Sequence, residues 1–253
     1  MDGNGRWARQ QNLPRTSGHK EGAKAVRAVV EECARLGVKY LTLYAFSIEN
    51  WKRPKHEVTF LMHLLERFLA KEEKTLMENN VVLETIGRLD GLPRGVQTQL
   101  GKTMRLTRGN SGLVLCLALN YGGRAEIADA ARKIAAEVKE GVLSPEEIDE
   151  SVFGKHLYLD STGKPFPEPD LLIRTAGEMR LSNFLLWQSS YAELFVTKAC
   201  WPEFREEHLR EAIAEFGRRE RKFGGLKEQD RDVHSESGHR LVLDRGVSGR
   251  DAS

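Results

Sequence analysis

The chain has 253 residues, of which 40% are hydrophobic and 30% charged, and its formal net charge is +2. This length suits one large α/β domain or two small ones, and the near-neutral charge excludes a general nucleic-acid binder, so we expect no nucleic-acid partner. Cys33, Cys116 and Cys200 form no Cys-x-x-Cys pair, which argues for reduced thiols in a cytoplasmic protein. No apolar run is long enough to span a bilayer, which leaves open a peripheral contact at the inner membrane face.

The chain begins with a glycine-rich stretch, Met1-Asp2-Gly3-Asn4-Gly5-Arg6-Trp7-Ala8. Glycines let the backbone turn tightly, and successive N–H groups in such a turn form a concave anion site. Arg6 adds a positive charge, and the Asp2 carboxylate would hold a Mg²⁺ bound to a phosphate. Taken alone, the stretch is compatible with a diphosphate-and-magnesium cradle. The alternatives are a disordered polar terminus and a dinucleotide-binding loop, which would need a preceding strand.

Hydrophobic periodicity next predicts helices that alternate with short apolar strands. Helices are predicted over residues 20–36, 55–78, 93–106, 125–139 and 206–222, and a further helix is predicted to start at Ser144-Pro145. Strands are predicted over residues 41–46, 81–86, 113–119, 171–173 and 194–196. This alternation predicts an α/β fold with a mainly parallel central sheet flanked by helices. Residues 226–253 are polar and are predicted to form a flexible tail.

Polar segments follow three of the predicted strands, at residues 47–53, 120–124 and 174–182. Ligands of parallel sheets bind outside the carboxyl ends of the strands, so these segments predict one active site. The chain lacks a Walker A loop, a Gly-x-Ser-x-Gly elbow, a His-Glu-x-x-His motif and an Asp-Asp-x-x-Asp cluster. An anion site here would therefore use glycine N–H groups, arginines and few carboxylates.

Five segments carry a specific pattern, at residues 2–8, 41–54, 120–126, 170–187 and 218–225. The most distinctive strings are Asp-Gly-Asn-Gly-Arg-Trp, Tyr-Ala-Phe-Ser-x-Glu-Asn-Trp-x-Arg-Pro and Ile-Arg-Thr-x-Gly-Glu-x-Arg-Leu-Ser-Asn-Phe. In this order they resemble the cis-prenyltransferases, the family of the undecaprenyl diphosphate synthases (isoprenyl transferases). The resemblance implies a cis-prenyltransferase domain over residues 1–225.

The resemblance also implies an activity. Such enzymes are Mg²⁺-dependent homodimers that add isopentenyl diphosphate repeatedly to an allylic diphosphate, usually farnesyl diphosphate, each time forming a cis double bond. The product is a long polyprenyl diphosphate, the precursor of the carrier lipid for cell-wall sugars, and the growing chain lies in an apolar tunnel. A hypothesis from another class is a non-catalytic prenyl-diphosphate-binding subunit of a two-component enzyme.

Position in the matching motifs implies roles for individual residues. Asp2 is implied as the essential acid and magnesium ligand, and Glu193 as the second magnesium ligand, reached within the site or across the dimer. His19 is implied to pass a proton to the leaving group. The groups implied to bind the allylic diphosphate are Gly3, Asn4, Gly5, Arg6, Trp7, Arg15 and His19.

The later motifs supply the rest of the implied site. Asn50 is the implied proton acceptor, although a neutral amide is a weak base and would instead suit the orientation of a diphosphate or water. The residues implied to line the substrate site beside it are Ser47, Ile48, Glu49, Trp51 and Arg53. Those implied to bind isopentenyl diphosphate are Arg174, Arg180, Leu181 and Ser182.

Three expectations concern the remaining segments. In this family an apolar strand runs directly into the Asp-Gly-Asn-Gly motif, so we expect the N-terminal strand to be truncated here and the native start to lie upstream of Met1. Ala45, Leu65 and Leu113 are candidates for the side chains that set product length. The basic cluster at residues 218–222 would either satisfy a helix dipole or reach a neighbouring subunit's diphosphate.

Overall fold

Parallel strands alternate with helices along residues 1–220, the part of the chain that this computed structural model describes. Residues 1–217 form one compact unit. In chain order the elements are α1 (Asn4–Gln10), α2 (Arg15–Arg35), β1 (Tyr40–Ser47), α3 (Lys55–Glu78), β2 (Val82–Ile86), α4 (Arg94–Thr107), β3 (Val114–Tyr121), α5 (Gly123–Lys139), α6 (Glu150–His156), β4 (Leu171–Arg174), β5 (Glu193–Val196) and α7 (Glu206–Arg218).

The predicted strands and long helices are confirmed, with small shifts at their ends. Helix α2 begins at Arg15 because Pro14 precedes it, and the polar residues of its first turn gave no apolar periodicity. The Ser144-Pro145 start is only a short 3₁₀ turn, and α6 begins after Asp149, whose carboxylate accepts the Val152 N–H at 2.7 Å. The predicted tail, residues 226–253, lies outside the described residues, as do residues 221 and 222 of the last predicted helix.

The strands form two parallel sheets within the described residues, where the sequence predicted one. Three strands pair in the order β1-β3-β2, and β4 pairs with β5. Strand β3 is central and almost wholly buried, which explains its continuous apolar run. Strands β1 and β4 are not hydrogen-bonded to each other. Both strands instead line one cavity.

The main hydrophobic core lies between the three-stranded sheet and the helices α2, α3 and α4. Leu83 and Leu115 from the sheet meet Val29, Met62 and Leu100 from these helices, and each is at most 4% exposed. Burying one such side chain contributes about 1.5–3 kcal/mol, so this cluster fixes the helices that form the cavity wall. No helix within residues 1–220 combines the length and apolar character that a membrane crossing requires.

A buried acid joins α2 to α7. The Glu32 carboxylate accepts a hydrogen bond from Arg210 Nε at 2.6 Å and two from Arg35, at 2.6 and 2.7 Å. The hydrogen bonds from Arg35 and Arg210 lower the pKa of Glu32 from its ordinary value of 4.5 to about 2. Because the folded state lowers this pKa, the contacts contribute stability above about pH 4.5 that is lost as the pH falls towards 2.

Glu32→Gln should therefore lower the urea midpoint of unfolding at pH 7, and this difference from the native chain should shrink as the pH falls from 4.5 towards 2. Urea titrations across this pH range measure it. The exposed Glu140→Gln, directly after α5, serves as the control and should leave the profile unchanged. If the urea midpoint of Glu32→Gln stayed below that of the native chain by the same amount at every pH, the role of the Glu32 charge would be contradicted.

Candidate active site

A cavity of about 1090 Å³ lies between β1, β4 and the helices α2 and α3. Its walls are apolar where the two helices face it, through Val26, Val29, Leu61, Met62, Leu65 and Phe68. Polar side chains line it where β1 and β4 end, namely Asp2, His19, Asn50, Arg53, Arg174 and Arg180. A largely apolar cavity with a few convergent polar groups is typical of a small-molecule site. Here the polar groups include several arginines, which suits an anionic head with an apolar tail.

The glycine-rich motif forms a tight turn, as its sequence predicted. Gly3 has a φ of 97°, in the left-handed region that favours glycine, and α1 starts at the next residue. Both backbone polar groups of Asp2 are hydrogen-bonded. Its N–H donates to Thr175 Oγ1 at 2.9 Å, and its carbonyl oxygen accepts the Trp201 N–H at 2.8 Å. The motif therefore lies against the end of β4.

Two glycines of α2 allow α1 to pack closely on that helix. A Cβ at Gly18 would lie 1.9 Å from the carbonyl oxygen of Asn4, and one at Gly22 would lie 2.3 Å from Asn4 Oδ1. Sequence reasoning did not assign these residues a role. Their spacing of four residues places both on one helix face, and this is the signal by which the sequence could have identified them.

Asp2 and Arg174 meet at the end of β4. Arg174 Nε lies 2.6 Å from Asp2 Oδ2, and Arg174 Nη2 donates to Ser182 Oγ at 3.0 Å. Arg174 also donates to the carbonyl oxygen of Arg180. One arginine thus joins the predicted acid to the loop implied to bind isopentenyl diphosphate.

Glu178 lies between two of the predicted substrate arginines. Arg6 Nη2 and Arg180 Nη1 are each 2.5 Å from a carboxylate oxygen of Glu178, and Arg6 Nη1 donates to the carbonyl oxygen of Ala176 at 2.7 Å. The hydrogen bond from Arg6 lowers the pKa of Glu178, so this acid stays ionised. Sequence reasoning assigned no role to Glu178. Its carboxylate contacts Arg6 of the predicted allylic diphosphate site and Arg180 of the predicted isopentenyl diphosphate site.

Glu57 holds a second group of predicted cations. Its Oε1 lies 3.2 Å from Arg53 Nη1, 3.4 Å from Arg15 Nη2 and 3.7 Å from His19 Nε2. Burial and the nearby Arg53 lower the pKa of His19, so its imidazole is neutral at pH 7. Glu57 also had no role in the sequence analysis, although it lies in the first turn of α3 and Arg53 lies just before that helix.

The segment after β1 is held by two asparagines. Asn50 Oδ1 accepts the Ser47 N–H at 3.2 Å, so the amide oxygen of Asn50 is used within its own turn. Trp51 Nε1 donates to Asn120 Oδ1 at 2.7 Å, and Asn120 Nδ2 donates to the Arg88 carbonyl oxygen at 2.8 Å. Asn120, the penultimate residue of β3, has a φ of 46° and is a further residue that sequence reasoning left without a role.

The structure brings most of the predicted site residues together. Those that line the cavity are Asp2, Asn4, His19, Ser47, Glu49, Asn50, Arg53, Arg174, Arg180, Leu181 and Ser182. Those outside its lining are Gly3, Gly5, Arg6, Trp7, Arg15, Ile48, Trp51 and Glu193. Of the three candidates for product length, Ala45 and Leu65 line the cavity, and Leu113 is a core residue that is 2% exposed.

Among residues 1–220, two buried polar atoms at this site have no hydrogen-bond partner, Asn4 Oδ1 and His19 Nε2. Such atoms are uncommon in folded proteins, and both are available to a bound ligand. Within residues 1–220 there is no group of three or more His, Cys, Asp or Glu side chains that could hold a metal. Mg²⁺ is commonly bound through one or two carboxylates together with substrate phosphates, so Asp2 fits a metal shared with a diphosphate.

The chain matches known proteins over most of its length. A family model described as putative undecaprenyl diphosphate synthase matches residues 1–224. The isoprenyl transferase of Bacillus subtilis (strain 168) is 50% identical over 226 residues, covering 89% of this chain and 85% of that protein. The isoprenyl transferase of Clostridium perfringens (strain 13 / Type A) is 49% identical over 227 residues, covering 90% of this chain and 88% of that protein.

Two solved structures share the fold. Lavandulyl diphosphate synthase from Lavandula x intermedia, in complex with dimethylallyl diphosphate, superposes with a TM-score of 0.83 at 38% identity and covers 88% of this chain and 95% of its own. A probable undecaprenyl diphosphate synthase from Campylobacter jejuni superposes with a TM-score of 0.70 at 36% identity, covering 81% and 92% of the two chains.

The contact between α1 and α2 gives a direct test of the packing at this site. Gly18→Ala should lower the free energy of unfolding by about 1–3 kcal/mol, because its Cβ would collide with the Asn4 carbonyl. Gly154→Ala in α6 is the matched control, since nothing lies within 4 Å of its Cβ, and it should stabilise by about 0.5–1 kcal/mol. Urea unfolding measures both variants. If Gly18→Ala were as stable as the native chain, α1 would not be packed on α2 in this way.

Proposed function

The chain belongs to the undecaprenyl diphosphate synthase family of cis-prenyltransferases, and on that premise we propose that it condenses isopentenyl diphosphate repeatedly with an allylic diphosphate. The proposed primer is farnesyl diphosphate, and the proposed product is a long polyprenyl diphosphate that serves as precursor of the carrier lipid for cell-wall sugars. The observation that carries the proposal is the convergence of Asp2, His19, Arg174 and Arg180 beside an apolar cavity.

Two groups of cations suit two diphosphates. The allylic diphosphate is assigned to the turn of Gly3 to Arg6, with Arg15 and His19 beside it, because α1 begins there and its first N–H groups have no intrahelical acceptor. The isopentenyl diphosphate is assigned to Arg174, Arg180 and Ser182, which the contacts of Arg174 hold together. The bound dimethylallyl diphosphate in the lavandulyl diphosphate synthase structure supports an allylic diphosphate as ligand of this fold.

The chemistry required of these residues is the stabilisation of negative charge. The bond between the allylic carbon and its diphosphate oxygen breaks while the double bond of isopentenyl diphosphate attacks that carbon, and a proton then leaves the new chain. Charge grows on the departing diphosphate as the bond breaks. Arginine guanidinium groups and backbone N–H donors fixed in advance stabilise this charge in the transition state.

Magnesium is assigned to Asp2, with Glu193 as the second proposed ligand. When bound, Mg²⁺ supplies Lewis-acid stabilisation of the diphosphate oxygens. Asp2 lines the cavity and is 2.6 Å from Arg174, so its carboxylate is already positioned beside the phosphate-binding cations. Glu193 starts β5 and lies outside the cavity lining, which supports the arrangement in which it is reached across a dimer.

Proton transfer is assigned to His19 and to the substrate's own oxygens. His19 is neutral in the free protein, and a bound diphosphate would raise its pKa and let the imidazole protonate the leaving group. Asn50 has its amide oxygen committed to the Ser47 N–H, so the contact favours an orienting role for Asn50 over that of proton acceptor. A diphosphate oxygen is then the proposed acceptor of the proton that leaves the new chain.

The proposed assembly is a cytoplasmic homodimer that releases its product at the inner membrane face. Exposed apolar side chains on and beside β5 support a partner surface there, since Tyr191, Leu194 and Val196 are 66%, 50% and 38% exposed. Sedimentation equilibrium should return twice the 28.6 kDa mass of one chain. A single-chain mass at micromolar concentration would contradict the dimer.

Incorporation of labelled isopentenyl diphosphate into butanol-extractable product, with farnesyl diphosphate as primer, tests the activity. We expect incorporation with Mg²⁺ and none with chelator. Asp2→Asn should lower kcat/KM by about 100-fold or more, because the variant loses a charge placed beside the reacting diphosphate. The exposed Asp90→Asn is the control and should keep full activity. A folded chain without incorporation would favour the non-catalytic binding subunit.

The apolar wall tests where the growing chain lies. Leu65→Trp on α3 fills part of the cavity and should shift the product to shorter polyprenyl chains, measured by reversed-phase thin-layer chromatography after dephosphorylation. Arg67→Trp adds the same ring to an exposed position of that helix, and its product should keep the native length. Unchanged product length in Leu65→Trp would place the chain elsewhere.

A further inference from the structure

Asn183 joins three segments that leave the strands at the site. Its Nδ2 donates to Glu49 Oε1 at 2.8 Å, after β1, and its Oδ1 accepts the Arg124 N–H at 2.8 Å, at the start of α5 after β3. Its backbone carbonyl accepts the Gly123 N–H at 2.7 Å. Asn183 itself lies in the loop between β4 and β5, directly after Ser182. A distant loop therefore provides the polar cap for the first turn of α5.

An asparagine suits this position for two physical reasons. Its φ is 65°, in the left-handed region that asparagine adopts more readily than most other side chains. The amide also supplies the donor for Glu49 and the acceptor for Arg124, whereas an aspartate would supply only the acceptor. The fit is close, since a Cβ on Gly122 would lie 2.6 Å from Asn183 Nδ2.

The loop that contains Asn183 is strained and carries residues of the proposed isopentenyl diphosphate site. Ser182 and Leu185 also have positive φ values, of 49° and 44°. Such conformations persist only where surrounding contacts hold them. Arg180 and Ser182 both line the cavity, and Ser182 is tied to Arg174 on one side while Asn183 is tied to Glu49 on the other.

We propose that Asn183 is a positioning residue for isopentenyl diphosphate: it fixes the loop of Arg180 to Ser182 by bridging Glu49 to the start of α5. This inference rests on the proposed function. Burial opposes ionisation of Glu49, yet hydrogen bonds from Asn183 and Ser47 leave its pKa below the ordinary value, so the bridge joins an amide to a carboxylate. Hydrogen bonds to charged groups are among the stronger ones in proteins.

Steady-state kinetics with Mg²⁺, varying each substrate in turn, tests the role. Asn183→Asp keeps the acceptor for Arg124 but replaces the donor to Glu49 with a repelling carboxylate. It should raise the KM for isopentenyl diphosphate about tenfold and change the KM for farnesyl diphosphate much less. Asn183→Gly, which tolerates the left-handed backbone and deletes both side-chain contacts, should raise the same KM.

Rescue separates positioning from a general loss of structure. In the double variant Asn183→Asp with Glu49→Gln, the glutamine amide can donate to the new carboxylate and should restore most of the KM for isopentenyl diphosphate. Glu49→Gln should not rescue Asn183→Gly. Asn80→Asp is the matched control, because Asn80 also has a left-handed φ, of 54°, and bonds to Ser111 at the opposite end of the sheet. It should leave both KM values unchanged.

The outcomes are distinct. An inactive but folded native chain contradicts the proposed function and this inference with it. An active native chain overturns the positioning role alone if Asn183→Asp and Asn183→Gly keep the native KM for isopentenyl diphosphate, or if both KM values rise together without rescue by Glu49→Gln. A selective rise in the KM for isopentenyl diphosphate in Asn183→Asp, reversed by Glu49→Gln, supports the positioning role.

Discussion

Positive charge concentrated at one end of an apolar cavity must be balanced when no ligand is bound, and the structure meets this need with acids that contact the arginines. Asp2 lies against Arg174, Glu178 against Arg6 and Arg180, and Glu57 against Arg15 and Arg53. These contacts keep the guanidinium groups close to where a diphosphate would be held, which reduces the reorganisation that binding requires. In the proposed function, an entering diphosphate would take over donors that the acids now occupy.

Backbone geometry supports this arrangement of charges. The left-handed Gly3 turns the chain into α1, and Gly18 allows α1 to approach α2 closely enough for Asn4 and His19 to line the same cavity. The left-handed Ser182 and Asn183 shape the loop on the other side. The apolar walls come from helices fixed by the hydrophobic core, so the core supports the proposed tail site and the turns shape the proposed head-group site.

Much of the fold and of the candidate site could be predicted from the sequence because their signals are local. The apolar run of β3 and the periodicity of α3 identified those elements, and motif position pointed to Asp2 and Arg174. The residues that were missed, Glu57, Glu178, Asn120 and Asn183, each contact at least one partner far away in the chain. Arg6 and Glu178, for example, are 172 residues apart. Such pairings depend on how the strands come together, which a local pattern does not contain, and the division into two sheets escaped prediction for the same reason.

The most direct test of the proposed substrate sites is a crystal structure of the native chain with Mg²⁺, isopentenyl diphosphate and an unreactive thiolo analogue of farnesyl diphosphate. We expect one diphosphate at the turn of Gly3 to Arg6, a second at Arg174 and Ser182, and the farnesyl chain between α2 and α3. Diphosphate density away from both arginine groups, or a farnesyl chain outside this cavity, would contradict the proposed sites.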